Sequence, residues 1–215
     1  MSYETEIRVN AAEEPKVFSI NSEHLIFHDT QMEIRDITGF CYGATPYYGS
    51  VSTDWMGVSL TGAYFYRFID TSNDIIDFNM MYWPGNIEYC RTIAMQIEYW
   101  IWEYIGNRVL NNMIRNIHAG YNIQVGELVI NRNGIQFTDR RYSQRTYDYS
   151  LDWNDVVGYQ DNGWLLIRSK RDAGISFPVD LRATINAVAL QRILQYTETN
   201  MELREILCGI KPPLA

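Results

Sequence analysis

Two segments far apart in this chain repeat the same order of residue types. Residues 20–29 read Ile-Asn-Ser-Glu-His-Leu-Ile-Phe-His-Asp, and residues 130–139 read Ile-Asn-Arg-Asn-Gly-Ile-Gln-Phe-Thr-Asp. Ile, Asn, Phe and Asp recur at matched positions, and Leu25 stands opposite Ile135. Each segment is typical of a strand, a polar turn and a second strand, and Asn133-Gly134 is a strong hairpin signal. The match predicts that one structural unit is built twice.

The agreement continues further along both segments. Residues 36–40, Asp-Ile-Thr-Gly-Phe, are mirrored by residues 155–159, Asp-Val-Val-Gly-Tyr. A second hairpin is predicted at 64–80, around a polar turn at 70–74. Its counterpart is predicted at 164–179, with the turn at 170–174. The order of these signals is the same in both halves, which favours duplication over coincidence.

A helical pattern closes each half. Asn86 and Asp180 stand where each helix is predicted to begin, since their side-chain oxygens can accept an unpaired backbone N–H at a helix start. Gly120 suits the position just after a helix end. We therefore predict an α+β chain that is mostly β, made of two antiparallel strand meanders, each closed by a helix. The predicted parts are a polar N-terminal arm at 1–17, a first domain at 18–119 with a long C-terminal helix, and a second domain at 120–215 with a C-terminal helix and a short tail.

Several strands followed by one terminal helix resemble the pleckstrin-homology-like (PH-like) superfold, including its GRAM-like and bacterial PH-like families. Residues 126–135, Gly-Glu-Leu-Val-Ile-Asn-Arg-Asn-Gly-Ile, and 179–181, Val-Asp-Leu, are similar to phrases of those families. The resemblance covers about 18–118 and 126–197 and includes no diagnostic motif. It implies two half-open barrels, each closed by its helix, and it leaves the function open because many functions use this superfold.

The predicted first helix carries an unusual apolar row at spacing four. Each step of four residues advances the row by about 40° around an ideal helix, so one flat core cannot bury all of it. We expect the first half of the row to close the first domain. The second half then meets either the second domain or another copy of the chain, which would make a homodimer through the helix from Ile93 to Ile117. Gly106-Asn107, between the two halves, would permit a bend. The row consists of Ile93, Ile97, Ile101, Ile105, Val109, Met113 and Ile117.

Charge and cysteine content limit the partners. The formal charge is -8; residues 1–120 hold 7 Lys and Arg against 15 Asp and Glu, and residues 121–215 hold 11 against 11. An acidic first half disfavours nucleic acid and anionic membrane surfaces as partners. Three widely spaced cysteines do not make a disulfide framework, the polar N-terminus is not a secretory signal, and the apolar stretch 93–105 is too short to span a membrane. These features predict a cytoplasmic protein.

The search for chemistry finds no strong site. His24 and His28 lie about 13 Å apart if the segment is a strand, too far for one metal ion. No nucleophile-elbow, phosphate-loop, dinucleotide or zinc-protease motif occurs. We therefore predict no cofactor, no metal and no enzymatic activity. An enzyme of unrecognised class that uses Asp36 and Asp155 remains an alternative, although their matched positions favour a structural role in turns.

Two groups of residues are candidates for binding. An aromatic insertion in the first half is either an exposed recognition surface or a loop that folds back over the core; its candidate protein-binding residues are Tyr42, Tyr47, Tyr48 and Trp55. The PH-like resemblance also draws attention to basic residues in the second half as a weak site for an anionic ligand. Interleaved acidic residues disfavour a phosphoinositide there. The basic residues are Arg140, Arg141, Arg145, Lys170 and Arg171.

Together these features predict a non-enzymatic binding or assembly module that acts through protein–protein contacts. It would serve as an adaptor, an assembly subunit, or an inhibitor or immunity-type partner of a basic toxin or nuclease. The first alternative is a carrier of a small molecule or lipid in an aromatic pocket between sheet and helix. The second is the unrecognised enzyme.

Overall fold

The computed structural model describes residues 1–8, 14–48, 60–82, 85–139 and 146–212, with the backbone alone at 46–48 and 60–61. The described chain is an α+β fold that is mostly strand and contains four antiparallel sheets, which confirms the predicted fold class at this level. It forms two compact units, 1–107 and 108–215.

Unit 1 contains two antiparallel sheets and a helix. Its four-stranded sheet has the order β1-β2-β3-β4, and its three-stranded sheet has the order β5-β6-β7. A 3-10 turn at Ile34–Asp36 joins the sheets, and α1 follows β7 and continues into a π-helical segment at Trp102–Gly106. The elements are β1 (Ser2–Ile7), β2 (Lys16–Asn21), β3 (His24–Phe27), β4 (Thr30–Glu33), β5 (Ile37–Tyr48), β6 (Leu60–Asp70), β7 (Ile75–Tyr82) and α1 (Ile87–Ile101).

Unit 2 contains the same two kinds of sheet in the same order. A four-stranded sheet, β11-β10-β9-β8, is followed along the chain by a three-stranded sheet, β12-β13-β14, and then by two helices. The helix α2 precedes them, and the predicted domain division at residue 119 falls at its end. The elements are α2 (Asn107–Ala119), β8 (Ile123–Val125), β9 (Leu128–Asn131), β10 (Gly134–Asp139), β11 (Tyr147–Leu151), β12 (Val156–Asp161), β13 (Trp164–Ser169), β14 (Ser176–Asp180), α3 (Ala187–Thr199) and α4 (Met201–Leu207).

The repeated sequence segments have the same pairing in both units. Ile20 of β2 lies opposite Leu25 of β3, and Ile130 of β9 lies opposite Ile135 of β10. All four side chains are fully buried. The matched apolar positions are therefore matched core positions, because alternate residues of a strand face the same side of a sheet.

The turns of the repeat also share their hydrogen bonds. The side-chain Oδ1 of Asn21 accepts a backbone N–H from two residues further on at 2.7 Å, and Oδ1 of Asn131 does the same at 2.9 Å. The carbonyls of Asp36 and Asp155 each accept the N–H of the first turn residue of the next hairpin, at 3.0 and 2.8 Å. Asn and Asp occupy these positions because they stabilise turns locally.

Three local predictions need correction. The segment interpreted as an N-terminal arm instead contributes β1, where Tyr3, Thr5 and Ile7 alternate with more exposed residues as a half-buried strand requires. Glycine and proline do not keep 42–48 out of regular strand: β5 runs to Tyr48 and pairs with β6 throughout. Pro46 is compatible with this strand because β5 lies at the edge of its sheet.

The predicted start of the second helix is also wrong. The helix α3 begins at Ala187, and Asp180 ends β14 instead of capping the helix. The Asp180 carboxylate binds the guanidinium of Arg182 at 2.7 Å and accepts its backbone N–H, so it stabilises the turn after the strand. The first helix start and the role of Gly120 are confirmed: α1 begins after Asn86, and Gly120 follows α2 with φ +89°.

The seven residues of the apolar row are all buried, none more than 5 % exposed, in the single chain. A homodimer through this row would first have to uncover it. The π-helical segment helps to bury the row, since its hydrogen bonds run from residue i+5 to residue i, as from Asn107 N–H to the Trp102 carbonyl. This wider turn rotates less per residue and reduces the drift of a spacing-four row.

Candidate functional site

A group of aromatic side chains lies where β1 meets α1 in unit 1. We call it the β1–α1 aromatic face. It includes one strand residue, Tyr3, and helical residues from the side of α1 away from the buried row. Its members are Tyr3, Tyr89, Met95, Tyr99, Trp100 and Tyr104.

Three rings of the face form a continuous stack. The ring centroid of Trp100 lies 5.4 Å from that of Tyr104, with the planes 12° apart, and 6.4 Å from that of Tyr3, with the planes 21° apart. Tyr99 meets Trp100 edge-on at 5.1 Å. Aromatic pairs in these geometries contribute about 0.5–1.5 kcal/mol each beyond their buried area, so the rings are held in place before any partner binds.

Hydrogen bonds fix the edges of the stack. The Tyr3 hydroxyl donates to Oε1 of Gln96 at 2.9 Å, and the Tyr104 hydroxyl donates to the carbonyl of Met1 at 2.5 Å. Burial raises the pKa of Tyr3, and the nearby Tyr89 raises it further. Tyr3 therefore stays a neutral hydrogen-bond donor at physiological pH.

The outer part of the face is exposed to solvent. Tyr89, Met95 and Tyr99 are 62 %, 63 % and 61 % exposed. Met95 and Tyr99 are four residues apart on a helix and are therefore neighbours on its surface. Large apolar side chains exposed beside a rigid aromatic stack are typical of a protein-binding surface, because Tyr, Trp and Met are enriched in such interfaces.

The structure places the sequence-predicted protein-binding residues elsewhere. Tyr42 lies in β5 and is half-buried, and its hydroxyl accepts a hydrogen bond from Nε1 of Trp102 at 2.8 Å. Tyr47 and Tyr48 lie in β5, but their side chains are outside the described part of the chain, as is all of Trp55. Tyr42 thus anchors the helix to the sheet, and binding by the other three stays a prediction.

The predicted anionic-ligand residues are only partly described. Arg140, Arg141 and Arg145 lie outside the described residues. The ammonium group of Lys170 donates to a backbone carbonyl at 3.2 Å, and Arg171 lies within 4 Å of two carboxylates, at 3.7 and 3.8 Å. These two cations are therefore used within unit 2, which leaves little of their charge for a ligand.

A buried network holds the turn after β13 in unit 2. The Ser169 hydroxyl donates to the Asp155 carboxylate at 2.9 Å, and the backbone N–H of Arg171 donates to the same carboxylate at 3.0 Å. Burial by itself raises the pKa of Asp155, but these hydrogen bonds and the Arg171 charge lower it overall. Every partner is structural, so Asp155 acts as a turn residue, as its matched position predicts.

Unit 2 also has an open cleft of about 390 Å³ beside β9, β10 and β11. Its two charged side chains are carboxylates, Glu127 and Asp148, and Asp148 accepts a hydrogen bond from Thr138 at 2.7 Å. An anionic ligand would be repelled there. The cleft is lined by Glu127, Val129, Gln136, Phe137, Thr138, Asp148, Tyr149 and Ser150.

The interior of unit 1 is filled by its own rings. Phe78 lies 4.4 Å from Phe27, 4.9 Å from Tyr66 and 5.3 Å from Phe18, measured between ring centroids. The Tyr66 hydroxyl is buried and has no hydrogen-bond partner among the described residues, and its burial raises the pKa of Tyr66 well above the usual value. Close packing of these rings favours a core over a carrier pocket.

Metal and membrane features were also searched for in the described residues. No three His, Cys, Asp or Glu side chains come together there as a metal site would require. No described helix is long and apolar enough to cross a membrane. His24 lies in β3, and His28 lies in the following turn with φ +54°. Burial raises the pKa of the Cys90 thiol, which disfavours the reactive thiolate.

Sequence reasoning missed the β1–α1 aromatic face. It interpreted Trp100 and Tyr104 as a widening of the buried row and gave Tyr3 no role. One signal was present: Met95 and Tyr99 lie far from the buried row at 100° per residue, where an amphipathic helix normally carries polar residues. The contribution of β1 carries no local signal, because Tyr3 is distant from the helix in sequence.

Comparison with known proteins gives no match: no protein-family model, no curated protein and no solved structure is significantly similar to this chain.

Proposed function

We propose that this protein is a non-enzymatic binding module that contacts another protein through the β1–α1 aromatic face. The observation that carries the proposal is the exposure of Tyr89, Met95 and Tyr99 beside the fixed stack of Trp100 and Tyr104. Rigid aromatic anchors lose little conformational entropy on binding, and such residues dominate the binding energy of most interfaces.

The PH-like architecture is part of the same proposal. Each unit runs from a four-stranded to a three-stranded antiparallel sheet and then to a helix, an order that supports the resemblance. A superfold used for many purposes does not select a function, so the proposed activity depends on the face itself.

Site-specific crosslinking in the native cells would test the proposal. A photoreactive phenylalanine analogue replaces Tyr99 in one variant and Tyr121 in a matched control. Tyr121 is also exposed, at 65 %, but it lies in unit 2 outside the face. We expect a discrete protein adduct from position 99 and none of the same mass from position 121.

A second comparison separates binding from folding. Tyr89→Ser combined with Tyr99→Ser should reduce recovery of the same partner by at least about tenfold, since hot-spot aromatics contribute about 2 kcal/mol or more. Thermal unfolding should change little, because both side chains are mostly exposed. Equal adducts at positions 99 and 121, or full recovery with the double variant, would refute a binding role for this face.

A further inference from the structure

The two units differ strongly in charge. Residues 1–107 hold 5 Lys and Arg against 15 Asp and Glu, a formal charge of -10, whereas residues 108–215 hold 13 against 11, a formal charge of +2. The exposed aromatic face lies in the acidic unit. Its electrostatic field attracts cations and repels phosphate-rich partners over roughly a Debye length, about 8–10 Å.

Two carboxylates flank the face along the helix. Glu88 and Glu103 are exposed, and neither forms an ion pair with any residue in the described ranges. Glu88 lies seven residues before Met95 and Glu103 four residues after Tyr99, spacings that keep them on the same side of the helix. The segment 87–106 has three Glu and a single basic residue, Arg91.

We infer that the face binds a basic segment of a protein partner, with Lys or Arg at each end and apolar or aromatic residues between. This inference rests on the proposed function and specifies its partner. The basic groups pair with Glu88 and Glu103, and the apolar centre packs on Met95 and Tyr99. An arginine in the segment also stacks on the Tyr and Trp rings, which attract guanidinium groups.

The helix geometry sets the length of the segment. Glu88 and Glu103 are separated by about 22 Å along the axis at the helical rise. An extended chain covers that distance in about seven residues. The partner segment therefore carries its basic residues about seven positions apart if it is extended.

Binding of labelled synthetic peptides to the full chain, followed by fluorescence anisotropy, tests the inference. The first peptide, of about nine residues, has Arg near both ends and Leu and Tyr between them. The second replaces each Arg by Glu, and the third replaces each Arg by Gln. We expect the Arg peptide to bind most tightly, and its Kd to rise several-fold when salt is raised from about 50 to about 500 mM.

Charge reversal on the protein provides the matched control. Glu88→Lys combined with Glu103→Lys should weaken binding of the Arg peptide by about tenfold, as expected for two exposed ion pairs turned into repulsions. Glu23→Lys combined with Asp29→Lys changes the net charge by the same amount on two turns of the first sheet, where the side chains are 80 % and 87 % exposed. This control should weaken binding by less than about twofold.

The outcomes separate the two proposals. Equal affinity for the Arg and Gln peptides, or equal loss with both charge-reversed variants, overturns the basic-segment inference and leaves the crosslinking result to decide the proposed function. Binding of none of the peptides also overturns it. Native mass spectrometry that shows a dimer dissociated by Tyr99→Ser would identify the occupant as a second copy and overturn it as well.

Discussion

Gly106 permits the close packing of Trp102 on the helix that anchors unit 1. A Cβ atom added at Gly106 would lie 2.4 Å from Cε3 and 2.7 Å from Cδ2 of Trp102, closer than real Cβ contacts allow. The indole cannot move freely, because its Nε1 donates to the Tyr42 hydroxyl at 2.8 Å and its ring meets Phe40 edge-on at 5.7 Å. Gly106→Ala must therefore displace a ring that joins the helix to the sheet.

The size of the effect follows from opposing contributions. Replacing glycine by alanine inside a helix stabilises it by about 1 kcal/mol. Overpacking against a fixed side chain costs about 1–3 kcal/mol, and loss of the Trp102 hydrogen bond costs about 1 kcal/mol more. We expect Gly106→Ala to destabilise the protein by about 1–3 kcal/mol, measured by urea unfolding followed by circular dichroism.

A second background gives the decisive comparison. In a Trp102→Leu variant the branched side chain is smaller, and Gly106→Ala should then stabilise the helix by about 1 kcal/mol, as helix propensity alone predicts. The double-mutant cycle should give a coupling energy of about 2 kcal/mol or more between the two positions. If Gly106→Ala stabilised both backgrounds equally, packing of Trp102 would not be the reason for glycine there.

Two further predictions concern buried polar groups. Tyr66→Phe should stabilise the protein by about 1 kcal/mol in urea unfolding, because it removes a buried hydroxyl without a described partner, whereas Tyr42→Phe should destabilise it by a similar amount; destabilisation by Tyr66→Phe would mean that a bound molecule satisfies the hydroxyl. The pKa of Asp155 is lowered by folding, so its stabilising effect is present above about pH 4 and is lost as pH falls through the lowered value. Asp155→Asn should therefore cost about 2 kcal/mol at pH 7 and much less near pH 2; an equal cost at both pH values would contradict this assignment.

The elements that sequence reasoning found are those with local signals. The β9–β10 hairpin forms where Asn133-Gly134 indicates one, although its turn residues are Arg132 and Asn133. The start of α1 after Asn86 and the end of α2 before Gly120 also depend on residues close to the boundary. Turns and helix ends are determined by hydrogen bonds over a few residues, so a single sequence can reveal them.

The elements that it missed depend on distant contacts. β5 stays extended through Gly43 and Pro46 because it pairs with β6 along its whole length, and pairing overrides the local preference. β1 is a strand because it pairs with β2, although its composition is polar and acidic. The aromatic face needs Tyr3 to meet Trp100 across most of unit 1, a contact that no local pattern contains.

The duplication itself indicates where function lies. The two units share the features that a strand meander needs, such as the Asn turns and the buried Ile20 and Ile130. They differ in formal charge, -10 against +2. They differ also in the hairpin after the repeat, since β5 has 12 residues and its counterpart β12 has 6. Features common to both units are explained by folding, so the acidic, aromatic surface that only unit 1 carries among the described residues requires another explanation, and recognition of a basic partner supplies one.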